Sequence, residues 1–347
     1  MKSALALCLV AVAGLAFGTT AAPARPPAPA KAPGSPAAAT AVRISGRDYV
    51  SIGSWAKANG FDARWLTRNK SLQLTTRSAR ILLNADAKGV ISEAAIDGVL
   101  VKLLFPLVLR NGTAYMALLD AVTTLRPILH PPSNPSGVTI KSICLDPGHG
   151  GKDPGYQISG HNEKTYALLL AQELRDQLTR AGFKVSLTRT DDSAVDLAER
   201  PGLANQRKAD LFVSLHFNAC ADAPASVRGA EVYCLTPAGA PSSNAAGQGS
   251  DTGSFIGNRN NDKNMFLAYE LQKSLTKGQG VEDRGVHRSR FAVLKDPVMP
   301  AVLVESGYMS HPVEGKKIFD AAYRRQIAKG IVDGILAYKK AVEGKGT

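Results

Sequence analysis

Cysteine is scarce in this chain, at 4 of 347 residues. Cys8 falls in the apolar N-terminal run, which leaves Cys144, Cys220 and Cys234 beyond it. That odd number excludes a fully paired disulfide framework. Cys144 lies in an apolar strand pattern and reads as a small buried residue. Cys220 and Cys234 would lie far apart along antiparallel strands, so we expect no bridge, although an oxidising compartment would permit one. Aromatic residues make up 6% of the chain, and no basic strand carries a cluster of them, which argues against a surface that stacks nucleic-acid bases. Histidine is sparse too, with none between Val42 and Leu129. That stretch also has no cysteine, so it is a poor place for a copper or zinc site. Acidic residues are the minority charge, 29 against 42 Lys and Arg, for a net charge of +13. The excess suits an anionic polymer or membrane surface as partner.

Long apolar runs are also missing. Ala4 to Phe17 is apolar, but a membrane span needs about 20 such residues. With Lys2 before it and the small residues Gly18 to Ala22 after it, this run reads as a cleaved export signal over 1–24. No transmembrane anchor is expected once it is removed, and export makes nucleic acid an improbable partner. Residues 25–41 are almost all Ala, Pro, Gly, Lys and Ser. Such a stretch has nothing to bury and is expected to be a disordered spacer. About 300 residues follow, enough for two domains.

The first of these, 42–130, reads as a small β-rich α+β unit. Asp48 to Ile52, Ser71 to Leu74, Ala79 to Leu83 and Val99 to Leu104 carry strand patterns, and Gly53 to Gly60 reads as a short helix closed by glycine. Arg110 to Met116 and the helix through Leu125 repeat the opening theme of turn, Tyr-bearing strand and helix. On Tyr49-Val50, Gly60-Phe61, Trp65, Asp97-Gly98 and Arg110-Asn111-Gly112, the segment resembles the small domain named for the N-terminal part of copper amine oxidases. That resemblance implies a stalk or wall-targeting role by domain context alone. The prolines of 131–138 block helix and ladder alike and mark a linker. On this reading a chain starting near Gly137 would still cleave a soluble substrate.

From 139 to 345 strands and helices alternate, which predicts an α/β fold with a mainly parallel or mixed sheet covered by helices on both faces. The expected strands include Thr139 to Leu145, Phe183 to Leu187, Asp210 to His216, Glu231 to Leu235 and Ala301 to Glu305. Helices are expected from Asn162 to Gly182, from Asp196 to Arg207, from Asp262 to Leu275, and in one piece from Glu314. In such sheets functional residues gather beyond the carboxyl ends of the strands. His149 follows the first strand in Asp146-Pro147-Gly148-His149-Gly150-Gly151, His216 ends the third, and Glu305 ends Ala301-Val302-Leu303-Val304. Glu163 opens a helix nearby. Two His and one Glu are a known ligand set for catalytic zinc, with the fourth position kept for water. Glu305 is then left over as a carboxylate able to take a proton from that water.

These residues carry a resemblance from Thr139 to Ala341, essentially the whole of this second unit. Leu145 to Gly151 with Asp153-Pro154-Gly155, Glu163-Lys164, Arg200, Ala209 to Ala219, Gly229 to Tyr233, Arg284-Gly285-Val286 and Met299 to Ser310 stand in the order seen in the zinc-dependent N-acetylmuramoyl-L-alanine amidases. The resemblance implies one zinc per chain on His149, Glu163 and His216, with Glu305 as the catalytic carboxylate. It further implies peptidoglycan as the partner, hydrolysis of the bond between the lactyl group of muramic acid and L-alanine, and a place in the periplasm or cell envelope. A non-catalytic wall-binding protein or another exported zinc peptidase is the alternative. Tyr308 stands where Phe is usual, and His311 where Asn is common. We expect His311 to fill a turn, and His287 to lie in a loop away from any metal. His161 is close to Glu163, but the family pattern assigns the Glu. Thr236 to Asn261 lacks an apolar periodic stretch, so it is read as a mobile substrate-binding rim rather than a blocking helix. The sequence names no activator protein.

Overall fold

The structure is a computed structural model, and it describes residues 41–242 and 253–344. The expected export signal and nearly all of the spacer lie outside these residues, as do positions 243–252 of the expected rim.

Among the described residues, nine strands form before the proline-rich stretch 131–138. They are β1 (Val42–Ile44), β2 (Arg47–Ser51), β3 (Asp62–Thr67), β4 (Ser71–Thr75) and β5 (Arg80–Asn84), followed by β6 (Glu93–Ile96), β7 (Val99–Lys102), β8 (Val108–Arg110) and β9 (Thr113–Ala117). Eight more follow it: β10 (Ser142–Pro147), β11 (Gln157–Ile158), β12 (His161–Asn162), β13 (Lys184–Leu187), β14 (Leu211–Asn218), β15 (Ala230–Leu235), β16 (Asp283–Ser289) and β17 (Ala301–Tyr308). The faint repeat in the first segment has a structural counterpart. β2 and β9, each leading into a helix, pair antiparallel with Tyr49 opposite Ala117 and Ser51 opposite Tyr115.

The main sheet has 11 strands in the order β13-β10-β14-β17-β15-β16-β7-β6-β5-β4-β3. β13, β10, β14 and β17 run parallel, and β15 is antiparallel to β17. The fold is therefore α/β with a mixed sheet, preceded by a β-rich segment. The parallel strands read as continuous apolar runs because both faces are covered. Alternation assigns their residues to two layers: Ile143, Leu145, Leu211 and Val213 join the larger core, whereas Cys144, Phe212, Leu303 and Leu235 join a smaller one. Long helices at Glu163–Arg180, Asn261–Lys273 and Ala321–Glu343 cover the first face. Ala204 and Val293, from the short helices Glu199–Gln206 and Ala292–Lys295, belong to the second layer. Ser214 and His216 share the parity of Phe212, and Glu305 that of Leu303, so the candidate residues end the thinly covered face.

Three expectations are corrected. The final helix is two, Glu314–Phe319 and Ala321–Glu343, because Asp320 adopts an extended conformation and its carboxylate accepts from the Ala322 and Tyr323 amides. His287 is on strand β16, not in a loop. The composition Asp-Arg-Gly-Val-His-Arg-Ser hides that strand, which is held between β15 and β7. β3 and β6 also form strands where none was read.

β16 is where the segments before and after the linker join. Val286 pairs parallel with Val101 of β7. Asp283 accepts from the Leu100 amide at 2.8 Å, and the Tyr269 hydroxyl donates to the Ile96 carbonyl at 3.1 Å. Buried Arg288 donates through Nη1 to Thr123 Oγ1 at 2.9 Å and through Nη2 to the Thr123 carbonyl. Residues from both segments belong to one continuous core.

Candidate metal centre and active site

The loop after β10 is built from its carbonyl oxygens. Asp146 is fully buried, and its carboxylate accepts from Thr188 Oγ1 at 2.6 Å, Arg200 Nη1 at 2.9 Å and Ser214 Oγ at 2.8 Å. Arg200 also donates to the carbonyls of Pro147 and His149, both at 2.9 Å. Arg189 donates to the carbonyls of Pro147 at 3.0 Å and Gly148 at 2.7 Å. Two buried guanidiniums thus fix three successive peptide units. That tolerates a φ of +58° at His149, a conformation that side chains seldom adopt. Gly148 must be glycine, because a Cβ there would stand 2.2 Å from the His216 ring.

Glu163, the first residue of its helix, reaches over the end of the sheet between two imidazoles. Its Oε1 lies 3.0 Å from His149 Nε2 and 2.9 Å from His216 Nδ1. The rings meet edge to face at 4.8 Å and 79°. Asp153 Oδ2 lies 2.7 Å from His149 Nδ1, so the other ring nitrogen is turned to Glu163. The Tyr156 amide donates to Glu163 Oε2 at 3.1 Å. Burial opposes ionisation of Glu163, yet its hydrogen bonds to His149 and His216 and their charge outweigh it and hold the carboxyl well below the usual range. For His149, burial favours the neutral ring, but Glu163 and Asp153 win and raise its pKa.

This trio passes a test for a metal ion. Its three donor atoms lie within 4.8 Å of one another, and two imidazoles with one ionised carboxylate suit a borderline cation such as zinc. Gly155 (φ +63°) keeps the cradle open, since a Cβ there would meet Glu163 Oε2 and His149 Cδ2, each at 2.7 Å.

Glu305 pairs in register with His216 on the neighbouring parallel strand. It is buried, and among the described residues its Oε2 has no hydrogen-bond partner. Burial, then the negative charges of Glu163 and Glu231, push its pKa well above the usual carboxylate range. Glu231 is its cross-strand partner on β15. That second buried carboxylate accepts from the hydroxyls of Tyr308 at 2.7 Å and Tyr233 at 2.6 Å, and from Arg284 Nε at 2.6 Å. Burial opposes the charge of Glu231; His287, the two hydroxyls and Arg284 outweigh it and lower its pKa.

Of the residues singled out in the sequence, His149, Glu163 and His216 come together, with Glu305 beside them. His161 does not join them: its Nδ1 meets the Tyr166 hydroxyl and its ring stacks on Phe319 at 3.8 Å. His311 fills its turn, accepting through Nδ1 from the amides of Val313 at 3.2 Å and Glu314 at 3.1 Å. His287 stacks on Tyr233 at 5.0 Å, and burial lowers its pKa. Cys144, Cys220 and Cys234 are free and buried. Sequence reasoning gave no role to Asp146, Asp153, Arg189, Arg200, Ser214, Glu231 or Arg284. The available signal was a polar residue inside an apolar strand, as in Val213-Ser214-Leu215 and Ala230-Glu231-Val232.

The chain is similar to proteins already known. A family model described as N-acetylmuramoyl-L-alanine amidase matches residues 143–337. The chain is 38% identical over 218 residues to N-acetylmuramoyl-L-alanine amidase AmiC of Neisseria meningitidis serogroup B, covering 56% of this chain and 52% of that protein. It is 32% identical over 219 residues to N-acetylmuramoyl-L-alanine amidase AmiA of Escherichia coli K12, covering 56% of this chain and 75% of that one. The chain therefore spans about half the length of the Neisseria relative. A crystal structure of N-acetylmuramoyl-L-alanine amidase from Clostridium difficile 630 superposes with a TM-score of 0.48 at 31% identity, over 58% of this chain and 97% of that one.

Proposed function

The chain belongs to the N-acetylmuramoyl-L-alanine amidases, and on that premise we propose that it hydrolyses the amide joining the lactyl group of N-acetylmuramic acid to L-alanine in peptidoglycan. His149, Glu163 and His216 would hold one zinc ion, which when bound supplies Lewis acidity to the amide carbonyl and to a water. Glu305 is the general base. Its Oε2 takes a proton from the attacking water as the water oxygen bonds to the amide carbon. The C–N bond then breaks, and the same carboxyl returns the proton to the departing nitrogen of L-alanine. Asp153 holds the His149 ring, and Arg189 and Arg200 hold the loop that carries it, so little reorganisation accompanies the reaction.

The observation that carries this reading is the juxtaposition of the three converging donor atoms with Glu305, one strand away and with a buried oxygen that has no hydrogen-bond partner among the described residues. We place the protein in the periplasm or cell envelope, with the 42–130 segment as a stalk or wall-targeting part. The net charge of +13 suits the anionic wall. No helix among the described residues is long and apolar enough to cross a membrane. Mass analysis of purified muropeptides after incubation tests the reaction. The expected products are a lactyl carboxylate on the sugar and a peptide with a free N-terminal alanine. Cleavage inside the peptide would identify a zinc peptidase instead, and binding without cleavage a wall-binding protein.

A further inference from the structure

Arg284, on β16, is an arginine fixed at its root and open at its tip. Its Nε donates to Glu231 Oε1 at 2.6 Å and to the Tyr308 hydroxyl at 3.1 Å. Glu231 and Tyr308 are themselves buried, and the Asn218 amide donates to the same Tyr308 hydroxyl at 3.1 Å. The guanidinium therefore cannot swing freely. A guanidinium has five N–H donors in a planar fork. The one on Nε is spent here, and among the described residues neither Nη nitrogen has a hydrogen-bond partner. The side chain is 32% exposed, so that outer edge faces solvent. By contrast, Arg288 uses its Nη nitrogens on Thr123, and Arg290 uses Nη2 on the carbonyls of Pro237 and Ala240.

The place of this fork matters. Glu231, its anchor, is the cross-strand partner of Glu305, and Arg284 comes from the next strand beyond. Neighbouring strands are about 4.8 Å apart, so the open edge lies roughly 10 Å from the reacting carboxylate. An extended peptide covers that distance in about three residues. A planar pair of N–H donors matches a carboxylate in bidentate fashion. In the substrate of the reaction proposed above, the lactyl carboxyl is tied up in the amide. The peptide, joined through its N-terminus, keeps a free carboxylate at its other end.

We infer that Arg284 binds a carboxylate of the peptide half of the substrate and so positions the scissile amide over Glu305. The inference rests on the amidase reading and goes beyond it, because it assigns the β16 side of the site to the peptide and the opposite side to the glycan. Arg284 is a positioning residue here. Its hold on Glu231 explains why it sits where it does but not why its outer edge is left open.

The test uses the full-length zinc-loaded protein and two soluble substrates. One is a muramoyl-tripeptide with free carboxylates, and the other is the same compound with those carboxylates converted to carboxamides. For the unaltered protein, KM should rise about tenfold or more on amidation, a typical loss for a charge-assisted bidentate contact, while kcat changes much less. In Arg284→Lys, which keeps a cation beside Glu231 but lacks the fork, the amidation penalty should shrink below about threefold. Arg284→Gln, with zinc content and thermal midpoint checked, should abolish the penalty. Equal KM values for the two substrates in the unaltered protein would overturn the inference, and so would an undiminished penalty in Arg284→Lys. Either result leaves the amidase reading standing. Failure to cleave either substrate would overturn both.

Discussion

The strands before the linker and the strand ends after it use burial in opposite ways. In β4 to β7 the buried positions are Leu72, Leu74, Ile81, Leu83, Ala94, Ile96, Val99 and Val101, all within 3% of complete burial. Packing and alternation account for each of them. At the ends of β10, β14, β15 and β17 the buried set includes Asp146, Glu231 and Glu305, joined by Glu163, Arg189 and Arg200 from neighbouring segments. Taking charges out of water costs several kcal/mol each unless partners compensate. A fold does not need six buried ionisable side chains in one corner to be stable. On the proposed function, buried ionisable groups mark the place of chemistry in this molecule, whereas the +13 net charge bears only on the partner's sign.

The largest effect should come from the trio itself. His216→Ala leaves two donors and should lose the metal by elemental analysis, with turnover falling to background and the fold kept by circular dichroism. If zinc content and turnover both persist in His216→Ala and in His149→Ala, the metal is held elsewhere.

Next in size is the support beneath the trio. Arg200→Met removes three hydrogen bonds from the loop and leaves Asp146 buried beside two hydroxyls. Breaking a buried pair costs about 3–5 kcal/mol of stability, and losing a group that orients a metal ligand typically costs 10–100-fold in metal affinity or activity. A denaturant titration combined with zinc affinity measures both. An unaltered midpoint and affinity would show that the loop keeps its shape without the guanidinium.

A third prediction concerns the join between the two regions. The proline-rich stretch at 131–138 suggests an independent catalytic unit, but β7 pairs with β16 and Thr123 accepts from both Nη nitrogens of Arg288. A truncated chain starting at Gly137 would expose the β16 edge and leave a buried arginine without those bonds, each such loss costing about 1–3 kcal/mol. Its thermal midpoint should fall, and it should associate through the bare strand. A monomer melting at the full-length temperature would show that the segment before 137 adds nothing to the stability of the rest.

The smallest of these effects belongs to Tyr308→Phe. It removes the hydroxyl that serves Glu231, Arg284 and Asn218 at once. Loss of one neutral donor to a buried carboxylate should cost about 1.5–3 kcal/mol of stability. Zinc content should be unchanged, since the bonds that are lost run to Glu231, Arg284 and Asn218. A change in metal content would mean that the Glu231 cluster and the metal centre form a single network.

Much of this arrangement can be read from the chain alone. Ile143 to Leu145, Leu211 to Leu215 and Ala301 to Val304 are apolar runs that end in His149, His216 and Glu305, because a strand buried on both faces has to be apolar until it emerges at the mouth. Glu163 is legible because it opens a helix beside them. β16 was hidden, since four of its seven residues are charged or His, and only its neighbours β15 and β7 make it a strand. Arg189 and Arg200 were hidden for another reason: each bonds carbonyls 41 to 53 positions away, and no local pattern announces such a partner. The break at Asp320 was masked by the helical spacing of Phe319, Tyr323 and Ile327, which continues across it.

The most direct test of the central claim separates the metal from the base in one preparation. Zinc content and muropeptide turnover should be measured together in Glu305→Gln, which keeps the shape of the side chain and removes its charge. The account predicts one zinc per chain, an unchanged fold and turnover lower by roughly 10²–10⁴-fold, the usual worth of a positioned general base. Near-normal turnover in a zinc-loaded Glu305→Gln protein would contradict it.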